Sequence, residues 1–196
     1  MAENLKTTTY KDGATIIPIV QDITAWSILT TPAYSWYNND EATYKNSTYG
    51  AIYNWYAAGT GNLCPEGWHV PTDEEWTALE NYLIAGGYNY DGTTSGNKLA
   101  KSLASLTGWD PSSNTGAVGN TDYGEKRNAT GFTTLPGGYR DDDGTFHDVG
   151  RDGGWWSATE AGSSIAIDRF LYYSINYVYR GSFSKRNGFS VRCLKD

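Results

Sequence analysis

Methionine is almost missing from this chain: one in 196 residues, at position 1. Cysteine and histidine are nearly as scarce, with two of each. Two cysteines cannot build a disulfide scaffold, and two histidines are thin for structural zinc. Positive charge is short as well. The net charge is −7 with a pI near 4.8. Such a surface repels phosphate backbones and excludes nonspecific nucleic-acid binding. No apolar run approaches the length of a membrane span, which argues against membrane insertion. Met1-Ala2-Glu3-Asn4-Leu5-Lys6 lacks an apolar core and does not read as a signal peptide.

What is abundant is aromatic residues and glycine. There are 8 Trp, 16 Tyr and 23 Gly. That mixture predicts a turn-rich fold with aromatic packing instead of a helical bundle. The length suits one domain, residues 1–196, with a core of its own.

The clearest local signal is Thr72-Asp73-Glu74-Glu75. It is a capping box, and it predicts a helix with Trp76, Leu79 and Leu83 on its buried stripe. Gly86-Gly87 ends it. A second helix is expected from Asn97 to Leu106, with Leu99, Leu103 and Leu106 on one face. Asp22 or Thr24 caps a short helix before Trp26. Ile16-Ile17-Pro18-Ile19-Val20 reads as an edge strand, because Pro18 has no amide hydrogen. Tyr49–Ala58 reads as a buried aromatic strand, and Cys64–Pro71 as a strand bounded by prolines. His69 within it reads as structural. Trp109–Gly131 reads as a long loop.

Phe132–Arg140 and Thr145–Gly150 form an expected hairpin turning at Asp143-Gly144. The acids Asp141, Asp142 and Asp143 read as a solvated turn, with calcium as the competing cofactor reading. Cys64 and Cys193 lie 193 − 64 = 129 positions apart and are either one bridge or two thiols.

One segment differs from the rest. Ile165–Ser184 contains no Trp, Lys, Glu, Gln or Met. Tyr172, Tyr173, Tyr177 and Tyr179 stand among Ser174, Asn176, Ser182 and Ser184. Binding surfaces use these types, since tyrosine gives contact area at low entropic cost and small polar residues adapt. The segment is therefore expected to be a ligand-binding face. Its anchors are Tyr172, Tyr173, Tyr177, Tyr179 and Phe183. Ile165, Ile167, Asp168, Phe170, Ser174, Asn176, Ser182 and Ser184 complete it, with Arg169 or Arg180 adding charge. Strand alternation sends part of it inward, and Ala166, Arg169, Leu171 and Val178 are the expected framework. The competing reading is an aromatic strand pair that packs on the sheet. No nucleophile elbow, phosphate loop or His-Glu-x-x-His occurs, so no catalytic activity is expected.

Five blocks follow one another in order. They are Tyr49–Ala57, Cys64–Trp76, Gly131–Arg140, Trp155–Glu160 and Gly188-Phe189-Ser190-Val191-Arg192-Cys193. Together they resemble the Fibrobacter succinogenes major paralogous domain, common in Bacteroidetes. The resemblance implies an α+β, C-type lectin-like fold of the formylglycine-generating-enzyme branch. That means a small twisted antiparallel sheet, two helices and long loops. It implies paired first and last strands, which would bring Cys64 near Cys193. Formylglycine-generating enzymes use a nearby cysteine pair, and Cys193 has no close partner in sequence. Some members of the fold are variable proteins of diversity-generating retroelements. Their mutated C-terminal codons can yield Tyr, Ser, Asp, Asn, Gly, Phe or Ile but not Trp, Lys, Glu, Gln or Met, the types missing from Ile165–Ser184. The resemblance thus implies receptor binding, to a protein or glycan receptor on a cell surface, by a module on a bacterial cell surface or phage particle. The other class is a structural or adhesive surface module with no specialised C-terminal site.

Overall fold

The computed structural model describes residues 1 and 3–196. Its helices are α1 (Ile23–Ser27), α2 (Glu41–Tyr44), α3 (Trp55–Ala58), α4 (Asp73–Ala85) and α5 (Ala100–Leu103). Its strands are β1 (Tyr34–Ser35), β2 (Ile52–Asn54), β3 (Trp68–His69), β4 (Gly137–Arg140), β5 (Phe146–Val149), β6 (Asp152–Glu160), β7 (Ile165–Tyr172), β8 (Tyr179–Ser184), β9 (Gly188–Phe189) and β10 (Leu194–Lys195). The architecture is mixed α/β. It exceeds the expected small sheet with two helices: eight strands join in the order β1-β2-β9-β4-β6-β7-β8, with β5 on β4. Every pairing in that sheet is antiparallel except β4 with β6.

Local chemistry explains most elements. The Thr72 hydroxyl accepts from the Glu75 amide at 3.2 Å, and Glu75 Oε2 accepts from the Thr72 amide at 2.8 Å. That capping box starts α4, as its sequence requires. Asp22, and not Thr24, caps α1 by accepting from the Ala25 amide. The hairpin forms as β4–β5, with Arg140 opposite Phe146 and the Asp141 carbonyl accepting from the Gly144 amide.

Other expectations need correction. Asn54 splits the Tyr49–Ala58 stretch, because its Oδ1 caps α3 at the Ala57 amide. Ile16–Val20 makes only single bridges, Ile16 to Thr9 and Ile19 to Tyr34. The Cys64–Pro71 strand is reduced to the two residues of β3. The second helix shrinks to α5. Asn97 bonds both backbone groups of Val178, and Ala104 is already extended against Thr134. Leu99 and Leu103 are buried as expected, but Leu106 is 68% exposed.

Trp155 and Trp156 divide the core. As neighbours on a strand they point to opposite faces of the sheet. Trp156 joins Tyr53, Ala166, Phe170 and Phe189 on one side. Trp155 joins Trp76, Leu83, Leu171 and Val178 on the other. Cys64 and Cys193 are bridged, with their Cα atoms 5.9 Å apart. The last strand does not pair with the first. β10 pairs with β3, just past Cys64, while β1 pairs with β2.

Candidate binding face

The Ile165–Ser184 segment is a hairpin. Six residue pairs hold β7 to β8, from Ile165 opposite Ser184 to Phe170 opposite Tyr179. The turn between them is braced by the Trp109–Gly131 loop. The Tyr173, Ser174 and Ile175 carbonyls accept from the Gly119 amide, Asn114 Nδ2 and the Val118 amide. The Asn176 carbonyl accepts from the Ala100 amide. The long loop thus supports the hairpin's turn.

Strand alternation splits the expected face in two. Ile165, Ile167, Ser182 and Ser184 lie on the side of Arg169. That side meets α4, where Arg169 donates to Asp73 Oδ1 at 2.8 Å and Glu80 Oε1 at 2.6 Å. Arg180 also pairs with Asp73, at 2.6 Å. Asp168, Phe170, Tyr172, Tyr179 and Phe183 lie on the opposite side. Tyr173, Ser174, Asn176 and Tyr177 occupy the turn.

Burial then separates contacts from frame. Ile167, Asp168 and Phe170 are 7%, 0% and 2% exposed, and all three sit in the frame instead of on the surface. They had been expected as contact residues; the sheet interior claims them. Ala166, Arg169, Leu171 and Val178 are buried, as the framework expectation has it. Ile165, Tyr177, Tyr179 and Ser182 are exposed. Tyr172, Tyr173, Ser174, Asn176, Phe183 and Ser184 are half-buried.

The side carrying Tyr172 and Tyr179 is an aromatic array. Phe170 stacks on Tyr172 with ring centroids 5.5 Å apart and meets Phe183 at 5.6 Å. Tyr172 meets Tyr179 edge-on at 6.0 Å. Tyr139 of β4 closes the array at 5.8 Å from Phe170 and carries His147 at 5.5 Å. Tyr139 has no signal in the sequence beyond its block; only the sheet order brings it here.

Two carboxylates lie under these rings. Asp152 is opposite Tyr172 and 8% exposed. Burial pushes it up to about 7, and Asp148 adds to the shift. Asp168 is fully buried with no hydrogen bond to either side-chain oxygen. Burial pushes it up to about 7 as well. Gly181 lies over it: a Cβ there would come within 3.0 Å of Asp168 Oδ1 and 2.7 Å of the Tyr179 ring. The phenol of Tyr172 is pushed up by burial and by both acids.

The acidic turn is a separate cluster. Ligand atoms of Asp141, Asp143 and His147 lie within 4.8 Å of one another. Calcium takes about six to eight oxygens, and this group offers two carboxylates and a nitrogen. Asp141 Oδ1 accepts from the Asp142 amide and from Asn187 Nδ2, and Asp143 Oδ1 from the Thr145 amide and hydroxyl. These bonds account for the acids as turn formers. An apolar groove of about 120 Å³ lies elsewhere, between α4 and the chain's end, lined by Trp76, Leu79, Phe132 and Leu194. His69 bonds Glu75 and Asp196 and ties α4 to the C-terminal strand, a structural role.

Comparison with curated proteins and with solved structures finds no match. The family model of the Fibrobacter succinogenes major domain matches residues 1–195, so the chain belongs to that family.

Proposed function

We propose that this is a noncatalytic ligand-binding domain of C-type lectin-like fold. Its binding face is the aromatic side of the β7–β8 hairpin together with its turn. It acts on a bacterial cell surface or phage particle, as the variable proteins of diversity-generating retroelements do. One observation carries the reading. Tyr172, Tyr177, Tyr179 and Phe183 reach solvent from a hairpin whose β7 strand is paired on both edges and whose turn is bonded to the 109–131 loop, while Ala166, Arg169, Leu171 and Val178 are buried. A fixed backbone with exposed aromatic and small polar side chains suits contact surfaces that change without refolding.

The test is a glycan-array and host-cell binding screen of the wild type beside Tyr172→Ala/Tyr177→Ala/Tyr179→Ala. The expected result is binding by wild type alone, with both proteins folded by circular dichroism. Equal binding by both would move the site off the hairpin. Sequencing the locus tests the retroelement assignment: a reverse transcriptase and a near-copy of the 165–184 coding region are expected beside it.

A second reading is a structural or adhesive module. The burial of Ile167, Asp168 and Phe170 favours it, since these strands also serve the core. No binding by either protein in the screen would leave that reading ahead.

A further inference from the structure

We infer that the aromatic side of the hairpin docks a basic protein partner, taking a lysine or arginine side chain beside Tyr179 and onto the Asp168 carboxylate. The inference rests on the binding reading above and names the chemistry of its ligand.

Asp168 is the buried acid of this side that the fold leaves without a partner. Both Asp168 oxygens lack a hydrogen-bond partner. Asp152 is nine-tenths buried. Charged groups in such places must be paired or neutralised. Among the described residues no lysine or arginine pairs with either one. Arg169 and Arg180 act on Asp168 from a distance, but both are committed to Asp73, and Arg169 to Glu80 also. Arg151 acts on Asp152 and is shared between Asp110 and Asp148. The fold therefore leaves buried Asp168 without a cation of its own, which a partner can supply.

The surroundings suit that cation. Tyr172 and Tyr179 are 6.0 Å apart, and ring faces attract ammonium and guanidinium groups. Gly181 contributes no side chain above Asp168, so the Tyr179 ring is its movable cover. Tyr179 is 39% exposed and can turn outward. A net charge of −7 draws a basic protein surface toward the domain. A neutral sugar would stack on the tyrosines and could donate a hydroxyl to Asp168, but it would bring no positive charge to balance it.

The experiment titrates N-acetyl-arginine methylamide and its uncharged counterpart N-acetyl-citrulline methylamide into the whole domain. Tyrosine ring resonances report binding by NMR at pH 8 and pH 5.5. At pH 8 the arginine probe is expected to bind about tenfold tighter than citrulline, the margin of one charge-assisted contact. Asp168→Asn is expected to erase the difference and Asp152→Asn to keep it. At pH 5.5 the preference shrinks, because Asp168 takes up a proton. The other charged groups on this side are Asp148, Arg151 and His147, with Arg169 and Arg180 acting on Asp168 from the α4 side, and the Asn variants separate their effect from that of Asp168. Tyr179→Phe keeps the preference and Tyr179→Leu loses it; both change an exposed position and leave the fold intact.

Equal binding of the two probes, or a preference that survives Asp168→Asn, overturns the inference. Glycan binding that depends on the tyrosines, without an arginine preference, overturns it while leaving the binding face in place. Loss of all tyrosine-dependent binding, to probes, glycans and cells, overturns both.

Discussion

Arg169 Nη1 donates to Asp73 Oδ1 across 2.8 Å, joining the middle of β7 to the first residue of α4. The arginine is buried, and its Nε reaches Glu80. The Arg180 contact, first, holds Asp73 below the usual carboxylate range. Arg169→Met strips the half-buried Asp73 and Glu80 of their buried partner. The expected loss is about 3–5 kcal/mol, the usual cost of breaking a buried pair. Urea denaturation measures it. A loss under about 1 kcal/mol would mean that Arg180 alone can hold this junction.

The Cys64–Cys193 bridge spans 129 positions. Closing so long a loop restrains the unfolded chain by about 4–5 kcal/mol in the chain-entropy account. Cys64→Ser/Cys193→Ser is expected to lower stability by that order. Guanidinium melts of the oxidised wild type and the double variant give the number. Equal midpoints would show that the core alone closes the chain.

Acid should stabilise this domain over an unusual range. Asp152 and Asp168 sit at about 7 when folded, raised chiefly by burial. Their folded state holds protons that the unfolded chain has lost above about 4. Stability therefore falls as pH rises from about 4 to about 7. His69 adds the same sign. Its pKa is raised, first by the Asp196 hydrogen bond, so its contribution is present at low pH and fades as pH climbs through the folded value. Thermal melts across pH 4–8 should show a declining Tm, and Asp168→Asn should flatten the curve and raise Tm at pH 8. A Tm that rises from pH 5 to 8 in the wild type would refute the assignment.

Tyr177 and Phe170 belong to one short hairpin yet should respond oppositely to truncation. Tyr177 is 42% exposed and Phe170 is 2% exposed. Tyr177→Ala is expected within about 0.5 kcal/mol of wild type. Phe170→Ala, which opens a cavity among Tyr139, Tyr172, Phe183 and Phe189, should lose about 3–5 kcal/mol. Denaturant curves of the two variants decide.

Much of this was legible before any coordinates. Thr72 and Glu75 announce α4, because a capping box is a short-range device satisfied by residues three apart. The turn at Asp143-Gly144 is readable for the same reason. The framework positions Ala166, Arg169, Leu171 and Val178 follow from side-chain character and are buried. What resisted reading depends on distant partners. Asn54 turns a strand into a helix through its own cap, but it is fixed there by Ala33 and Thr31. Leu106 keeps helical spacing with Leu103, yet Thr134 pulls Ala104 into extended backbone first. The splitting of Ile165–Ser184 between two faces could have been anticipated from the period of a strand, but not which side α4 would cover. Tyr139 and Asp152 come to the face from other strands, and no spacing within the segment points to them.

The pairing of Ile165 with Ser184 has a further consequence. The segment leaves the frame and returns to it at one point, so its two ends are neighbours. Such a loop of sequence behaves as a cassette. Another twenty-residue insert that keeps Ala166, Arg169, Phe170, Leu171 and Val178, grafted between Ser164 and Lys185, meets the same two attachment points and the same contacts to α4 and to both tryptophans of β6. Exchange of the cassette between relatives should therefore carry recognition with it, as a removable tip carries the bit and leaves the handle alone.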